Sequence, residues 1–145
     1  MLFPPQTARL ALRAWREEDR PAFAAMNADR RVMEFFPAPL TDAESQALME
    51  RIRSEFPTEG FGLYAVERLS DNELLGFVGL HRVTCSGELA GQIEIGWRLR
   101  RDAWGQGYAT EAARACIAHA AASRVAVAQN FLTFTFSLLV ILSDR

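Results

Sequence analysis

Cysteine is scarce in this chain: Cys85 and Cys116 are the only two in 145 residues. Their spacing is not that of a metal site, and two are too few for a disulfide framework, so a reducing, intracellular setting fits best. Excess charge is also lacking. The formal net charge is −2, which advertises no global basic surface for nucleic acid. No stretch is long enough to cross a bilayer as a helix. The apolar run from Phe131 to Leu142 has 12 residues, short of the ~20 needed. The opening Met1-Leu2-Phe3-Pro4-Pro5 has no charged region followed by a long apolar run, so no secretory signal is predicted and a cytoplasmic location is expected. Repeats and linkers are absent too. What is present, 50% hydrophobic and 23% charged residues, suits a globular core rather than disorder. A single domain over 1–145 is the natural reading.

Periodicity supplies the elements. Leu10 and Leu12 alternate with small or charged residues over Arg9 to Arg13, the pattern of a half-buried strand. Glu17-Glu18-Asp19 opens a helix expected to reach about Met26, with Pro21 tolerated in its first turn. Arg30 to Phe36 predicts a short second helix ended by Pro37 and Pro39. Thr41-Asp42-Ala43-Glu44 is a capping box, predicting a helix from Asp42 to about Glu55. Strands are expected over Gly62 to Arg68 and Leu74 to Val83, joined by the turn Ser70-Asp71-Asn72-Glu73. Another follows over Gln92 to Leu99, and then a helix over Tyr108 to Ala122. Within Gln92 to Leu99, Ile93, Ile95 and Trp97 share one face and Glu94, Gly96 and Arg98 the other. Gly96 is a candidate bulge position. The strands form an antiparallel meander with helices packed across it, an α/β (α+β) arrangement.

The most informative run is Trp104-Gly105-Gln106-Gly107-Tyr108-Ala109-Thr110-Glu111-Ala112. It follows a strand and opens a helix. Closely spaced glycines let the backbone turn tightly and approach a ligand, and a helix N-terminus aims free N–H groups and its positive dipole end at the same spot. Together these make an anion site suited to a pyrophosphate. The glycines alone fit a plain strand-to-helix turn equally well. A Rossmann reading of the loop is weak, because its third glycine falls on Thr110 and no βαβ unit follows.

The whole run resembles the acetyl-CoA-binding segment of the GNAT superfamily of N-acyltransferases, most closely the branch that includes ribosomal-protein N-acetyltransferases. The superfamily loop, Gln/Arg-x-x-Gly-x-Gly/Ala, falls on Trp104 to Ala109. Trp104 departs from the usual first residue, and Gly107 and Ala109 take the small-residue places. Thr7 to Trp15 with Glu18-Asp19, and Gln92 to Trp97, are similar to two further stretches of that branch. The resemblance covers roughly 7–119. It implies a GNAT-like, mostly antiparallel twisted sheet flanked by helices. It also implies acetyl-CoA as cosubstrate, with no metal, held by Trp104, Gly105, Gln106, Gly107, Tyr108, Ala109 and Thr110. The strand before the loop would splay from a neighbour, and backbone groups of Trp97, Arg98 and Leu99 would pair with the pantetheine arm. The acceptor it implies is a primary amine, either a protein N-terminus or a small amine.

Acyl transfer to an amine requires a thioester held still, a proton removed from the amine and a proton supplied to the leaving thiolate. Glu94, an acid in an otherwise apolar strand beside the loop, is the candidate base; the alternative is a solvated charge on an open sheet face. His81 can relay a proton or serve as an ordinary histidine. Glu111, in the first helical turn, reads as structural and facing away from the phosphates. Tyr108 reads as packing, Cys116 as core, and His119 as a favourable charge near the helix end.

After His119 the resemblance fails. Residues 120–145 hold no second helix, no Asn-x-x-Ser pattern and no final hairpin, so the C-terminal part reads as truncated or divergent. That leaves an alternative function, a catalytically defective relative that keeps only the phosphate loop. The uncovered apolar segment Phe131 to Leu142 carries an expectation of self-association. No nucleic-acid or membrane partner is expected.

Overall fold

The computed structural model describes residues 4–84, 86–88 and 90–123. Strand β1 (Leu10–Arg13) leads through a 3₁₀ turn at Glu17–Asp19 into helix α1 (Arg20–Ala28), and α2 (Asp42–Glu59) follows. Strands β2 (Leu63–Arg68), β3 (Glu73–Arg82) and β4 (Ile93–Leu99) come next, and helix α3 (Tyr108–Ser123) completes the order. The strands form one sheet in the order β1-β2-β3-β4, antiparallel throughout. Among the described residues β4 has no neighbour on its outer side.

Each face of the sheet has its own cover. Helix α3 lies on one, with Ala109, Ala112, Cys116 and Ala120 buried against Val78, Leu80, Leu99 and their neighbours. Its alanines have almost no side chain, so the helix axis can approach the sheet closely. The other face carries α1 and α2, with Phe23, Met26, Met49 and Ile52 packed on Leu63, Ala65 and Phe77. Strand alternation divides β4 as its sequence predicts. Ile95 and Trp97 join the α3 side, while Arg98 reaches Asn27 of α1 on the other.

Three local expectations are corrected. Arg30 to Phe36 is a series of turns, not a helix. The Asp29 side chain accepts a hydrogen bond from the Arg31 N–H at 2.8 Å, capturing the backbone in a turn before a helix can nucleate. Helix α2 continues past Glu55 to Glu59 with Pro57 inside it. The last turn survives because the Thr58 hydroxyl donates to the Ser54 carbonyl and the Gly60 N–H to the Phe56 carbonyl. Gly96 makes no bulge against β3, since the β3–β4 register runs unbroken from Gly76↔Leu99 to Arg82↔Ile93. The register shift lies instead in β2, between Val66 and Glu67. The segment 124–145, including the expected strand and association surface at 131–142, lies outside the described residues.

Two constraints hold the sheet. A Cβ on Gly79 would sit 2.1 Å from the Gly62 carbonyl oxygen and 2.9 Å from Leu63 Cα, both backbone atoms that cannot swing aside. On the α1 side, Arg13 is clamped by two carboxylates. Its Nη1 and Nη2 donate to Asp19 at 2.8 Å each and its Nε to Glu67 at 2.6 Å. Burial alone would raise the Asp19 carboxyl, but hydrogen bonds from Arg13 and from the Arg16 N–H outweigh it and hold the group below its ordinary value.

Gly79→Ala is therefore expected to destabilise the fold by about 1–3 kcal/mol or more through overpacking, measured by urea unfolding. Asp19 generates a pH dependence of defined sign. A carboxyl whose folded pKa is depressed stabilises the fold above its unfolded pKa of ~3.9, and that stability is lost as pH falls through the folded value. Asp19→Asn should cost about 2–3 kcal/mol at neutral pH, and the gap between variant and parent should close in acid unfolding below about pH 4.

Candidate active site

The loop between β4 and α3 is fixed from both sides. Trp104 Nε1 donates to the Leu99 carbonyl at 2.9 Å, and Gln106 Nε2 to the Asp102 carbonyl at 3.0 Å. Gly105 and Gly107 both adopt left-handed backbone, with φ of 71° and 79°. The Glu111 N–H returns to the Gly107 carbonyl at 3.0 Å, closing the first turn of α3. Among the described residues, no acceptor takes the backbone N–H groups from Gly105 through Thr110. They form a run of free donors at a helix N-terminus, the arrangement that binds phosphate. The side chains of Tyr108 and Ala109 are buried in the core, so these residues can serve a ligand only through their backbone.

Glu111 faces away from this cradle, toward β1. It accepts from the Thr7 hydroxyl at 2.5 Å, the Arg9 N–H at 3.2 Å and Arg9 Nε at 2.7 Å. Burial pushes its carboxyl up, and the bonds from Thr7 and Arg9 more than reverse this. Arg9 also donates to the Gln106 carbonyl at 2.9 Å and stacks its guanidinium 4.3 Å from the Tyr108 ring. Arg9 is thus a buttress of the loop that its sequence position did not reveal.

The edge of β4 supplies the second element of the site. The Arg100 N–H donates to the Leu75 carbonyl at 2.8 Å, and the Arg98 carbonyl lies against Gly76. Backbone groups alternate sides along a strand, so those of Trp97 and Leu99 face the outer edge, in keeping with the Leu99 carbonyl turning to Trp104. They can pair with an extended amide-bearing ligand. Arg98 cannot do so through its backbone, which faces β3.

On the α1 side of the sheet, the register sets His81 opposite Glu94. His81 Nε2 lies 2.6 Å from Glu94 Oε1, and the Glu94 side chain is 14% exposed. With Glu94 as a carboxylate, which only accepts, His81 Nε2 is the donor of this contact. The Glu94 Oε2 takes no bond from a described residue. Glu94 is therefore a paired, sheltered carboxylate with one free oxygen, not a freely solvated charge. Further along the same face, Arg98 Nη1 donates to Asn27 Oδ1 at 2.7 Å, while Asn27 Nδ2 donates to Ser45 Oγ at 2.9 Å. Burial lowers the Arg98 guanidinium to about 10. Asn27 and Ser45 are site-side residues with no motif to mark them. Cys116 is buried under α3, with its thiol pushed up to about 12, which makes it core rather than a nucleophile. His119 meets the Tyr64 ring edge-on at 6.3 Å. Among the described residues, no three His, Cys, Asp or Glu side chains converge as a metal site. No described helix is long and apolar enough to cross a membrane.

The profile of the Acetyltransferase (GNAT) domain family matches residues 9–134. This chain belongs to the GNAT acetyltransferases. The match runs past His119, where the motif resemblance stopped. Solved structures agree in fold. The acetyltransferase from Agrobacterium tumefaciens str. C58 superposes with a TM-score of 0.71 at 26% identity, over 86% of this chain and 70% of that one. A putative GnaT-family acetyltransferase from Bordetella pertussis gives 0.70 at 22% identity, over 81% and 71%. A GNAT-family acetyltransferase from Bacillus anthracis gives 0.67 at 23% identity, over 83% and 67%. Acetyl transfer from acetyl-CoA is the family's reaction, and the unpaired N–H run at the head of α3 fits the cosubstrate's pyrophosphate.

Space does not prevent a side chain at Gly107, since the nearest atom to an added Cβ is Arg9 Nη2 at 3.6 Å. The obstacle is the left-handed backbone, which a β-branched residue strongly disfavours. Gly107→Val should re-aim the N–H run and weaken CoA binding by about tenfold or more, with a loss of fold stability of about 1–3 kcal/mol from the strained backbone. Equal CoA affinity by calorimetry for variant and parent would remove the loop from the site.

Proposed function

We propose that this protein transfers the acetyl group of acetyl-CoA to a primary amine, with Glu94 as the base that takes the amine's proton. The pairing of Glu94 on β4 with His81 on β3, on the strand whose edge and following loop suit the cosubstrate, carries this reading. Acetyl-CoA supplies an activated thioester carbonyl. The residues of the chain supply position and proton management. Trp97 and Leu99 offer backbone groups to the pantetheine amides, and the N–H groups from Gly105 to Thr110 cradle the pyrophosphate. His81 Nε2–H holds one Glu94 oxygen, which orients the other toward an incoming amine. As the amine nitrogen bonds to the acetyl carbon, the carbon–sulfur bond breaks and its electron pair leaves on sulfur as the CoA thiolate, which takes a proton from solvent, while the proton shed by nitrogen passes to Glu94 Oε2 and on to solvent. The acceptor is a protein N-terminus or a small amine. An α-amine, with its ordinary pKa near ~7.7–8.0, is easier to deprotonate near neutral pH than a lysine side chain at ~10.4. The scarcity of cysteine supports action in a reducing cytoplasm.

Glu94→Gln keeps the shape and the contact to His81 but cannot take a proton. Turnover should fall by ~10²–10⁴-fold, while CoA affinity stays close to that of the parent. A loss of less than about threefold across the pH range, measured as kcat by thiol release, would remove Glu94 from the chemistry.

A further inference from the structure

Arg9 precedes Gln106 by 97 residues, yet its side chain joins three parts of the glycine loop and helix head. Nη1 donates to the Gln106 carbonyl at 2.9 Å. Nε and Nη2 both reach Glu111 Oε2, at 2.7 and 2.6 Å. Cζ lies 4.3 Å from the centroid of the Tyr108 ring. Two of these contacts bear directly on the run of free N–H groups.

The Gln106 contact settles the direction of one peptide. In a planar trans peptide the carbonyl and the following N–H point opposite ways. With the Gln106 carbonyl turned to Arg9, the Gly107 N–H is aimed to the opposite side, as one donor of the cradle. Gly107 does not fix this by itself. Its φ is 79°, and glycine takes positive and negative φ about equally well. The Gln106–Gly107 peptide can therefore turn over unless its carbonyl is held. The Gly107 carbonyl is held separately, by the Glu111 N–H at 3.0 Å.

The Glu111 contact settles a charge. A carboxylate in the first turn of α3 suits the helix dipole, but it repels an anion bound at the same helix end. Burial opposes ionisation of Glu111, and the bonds from Thr7 and Arg9 more than reverse this, so the carboxylate persists. Arg9 sets a full positive charge against it. Arg9 Nη2 also lies 3.6 Å from the point where Gly107 would carry a Cβ, so this charge stands beside the cradle. The Arg9 side chain is 44% exposed, and such a pair adds little to fold stability. Its consequence lies in the donor it aims and the charge it cancels.

We propose that Arg9 is a positioning residue for cosubstrate binding, holding the Gly107 N–H toward the pyrophosphate and cancelling the Glu111 charge beside it. This rests on the reading of the loop as the pyrophosphate cradle. Without Arg9 the peptide is free to turn over, and an uncompensated carboxylate faces the incoming anion.

Calorimetry with CoA on the full chain tests this. Arg9→Gln should weaken CoA binding by about tenfold or more, the scale of a lost charge-assisted contact. Adding Glu111→Gln to that variant removes the uncompensated charge, while the new amide oxygen can still accept from the Thr7 hydroxyl and the Arg9 N–H. About threefold of the affinity should then return. A purely structural brace predicts no recovery, since both of its ends are gone. Arg9→Lys keeps the charge but lacks the planar fork that spans Glu111 and Gln106; it should lose about threefold and serves if the glutamine variant does not fold. Parent-like affinity in Arg9→Gln, no recovery in the double variant, or parent-like affinity in Arg9→Lys would overturn the proposal. If Gly107→Val also binds CoA as the parent does, the loop reading falls with it. If Gly107→Val loses affinity and Arg9→Gln does not, the role of Arg9 fails and the cradle stands.

Discussion

The close seating of α3 on the sheet governs much of the remaining structure. Ala109, Ala112, Cys116 and Ala120 present so little side chain that the helix closes one sheet face with apolar contacts. This has two results. The helix N-terminus follows the end of β4 through a loop tied back by Trp104 to the Leu99 carbonyl, and among the described residues its first N–H groups have no acceptor. The polar residues of β3 and β4, His81, Glu94 and Arg98, are left to the opposite face, where Arg98 meets Asn27 of α1 and the Phe36 ring. On the proposed reading, cosubstrate binding and acceptor chemistry are thereby divided between an edge and a face of the same strand.

The second organising fact is how the acceptor side treats charge. Buried ions are costly unless they are paired, and this face shows several solutions. Arg13 meets two acids. Glu94 meets a histidine directly across the register. Asn27, wholly buried, satisfies its amide by joining Ser45 to Arg98 and its carbonyl by holding Leu40. Asn27 thus ties α1, α2, β4 and the intervening turns together, and a change there disturbs all of them.

What could be read from the sequence was local. The strand alternation of Ile93 to Arg98, the capping box at Thr41 and the glycine loop each lie within a few consecutive residues, and periodicity or turn chemistry exposes them. The helix predicted at Arg30 to Phe36 failed because one side chain, Asp29, competed for the backbone, and propensity does not weigh such a bond. The site's partnerships were less legible for a different reason. Arg9 and Glu111 are 102 residues apart, and Asn27 and Arg98 are 71 apart. Even His81 and Glu94, 13 residues apart, meet only because the β3–β4 register falls as it does. A shift of one residue would have sent Glu94 to the other face.

The turns between α1 and α2 carry a consequence for divergence. Their backbone is held by isolated bonds, Met33 to Asp29, Phe36 to Met33 and Leu40 to Asn27, with no strand or helix ladder to preserve. Phe35 stands exposed beside Phe36, which covers Arg98. Lengthening such a segment costs little entropy, because closure cost grows only with the logarithm of length. The wall over Arg98 can therefore be redrawn by insertion or deletion while β4, its glycine loop and α3 stay as they are. If that face takes the acceptor, as proposed, a lineage built on this frame can exchange acceptors without rebuilding the glycine loop.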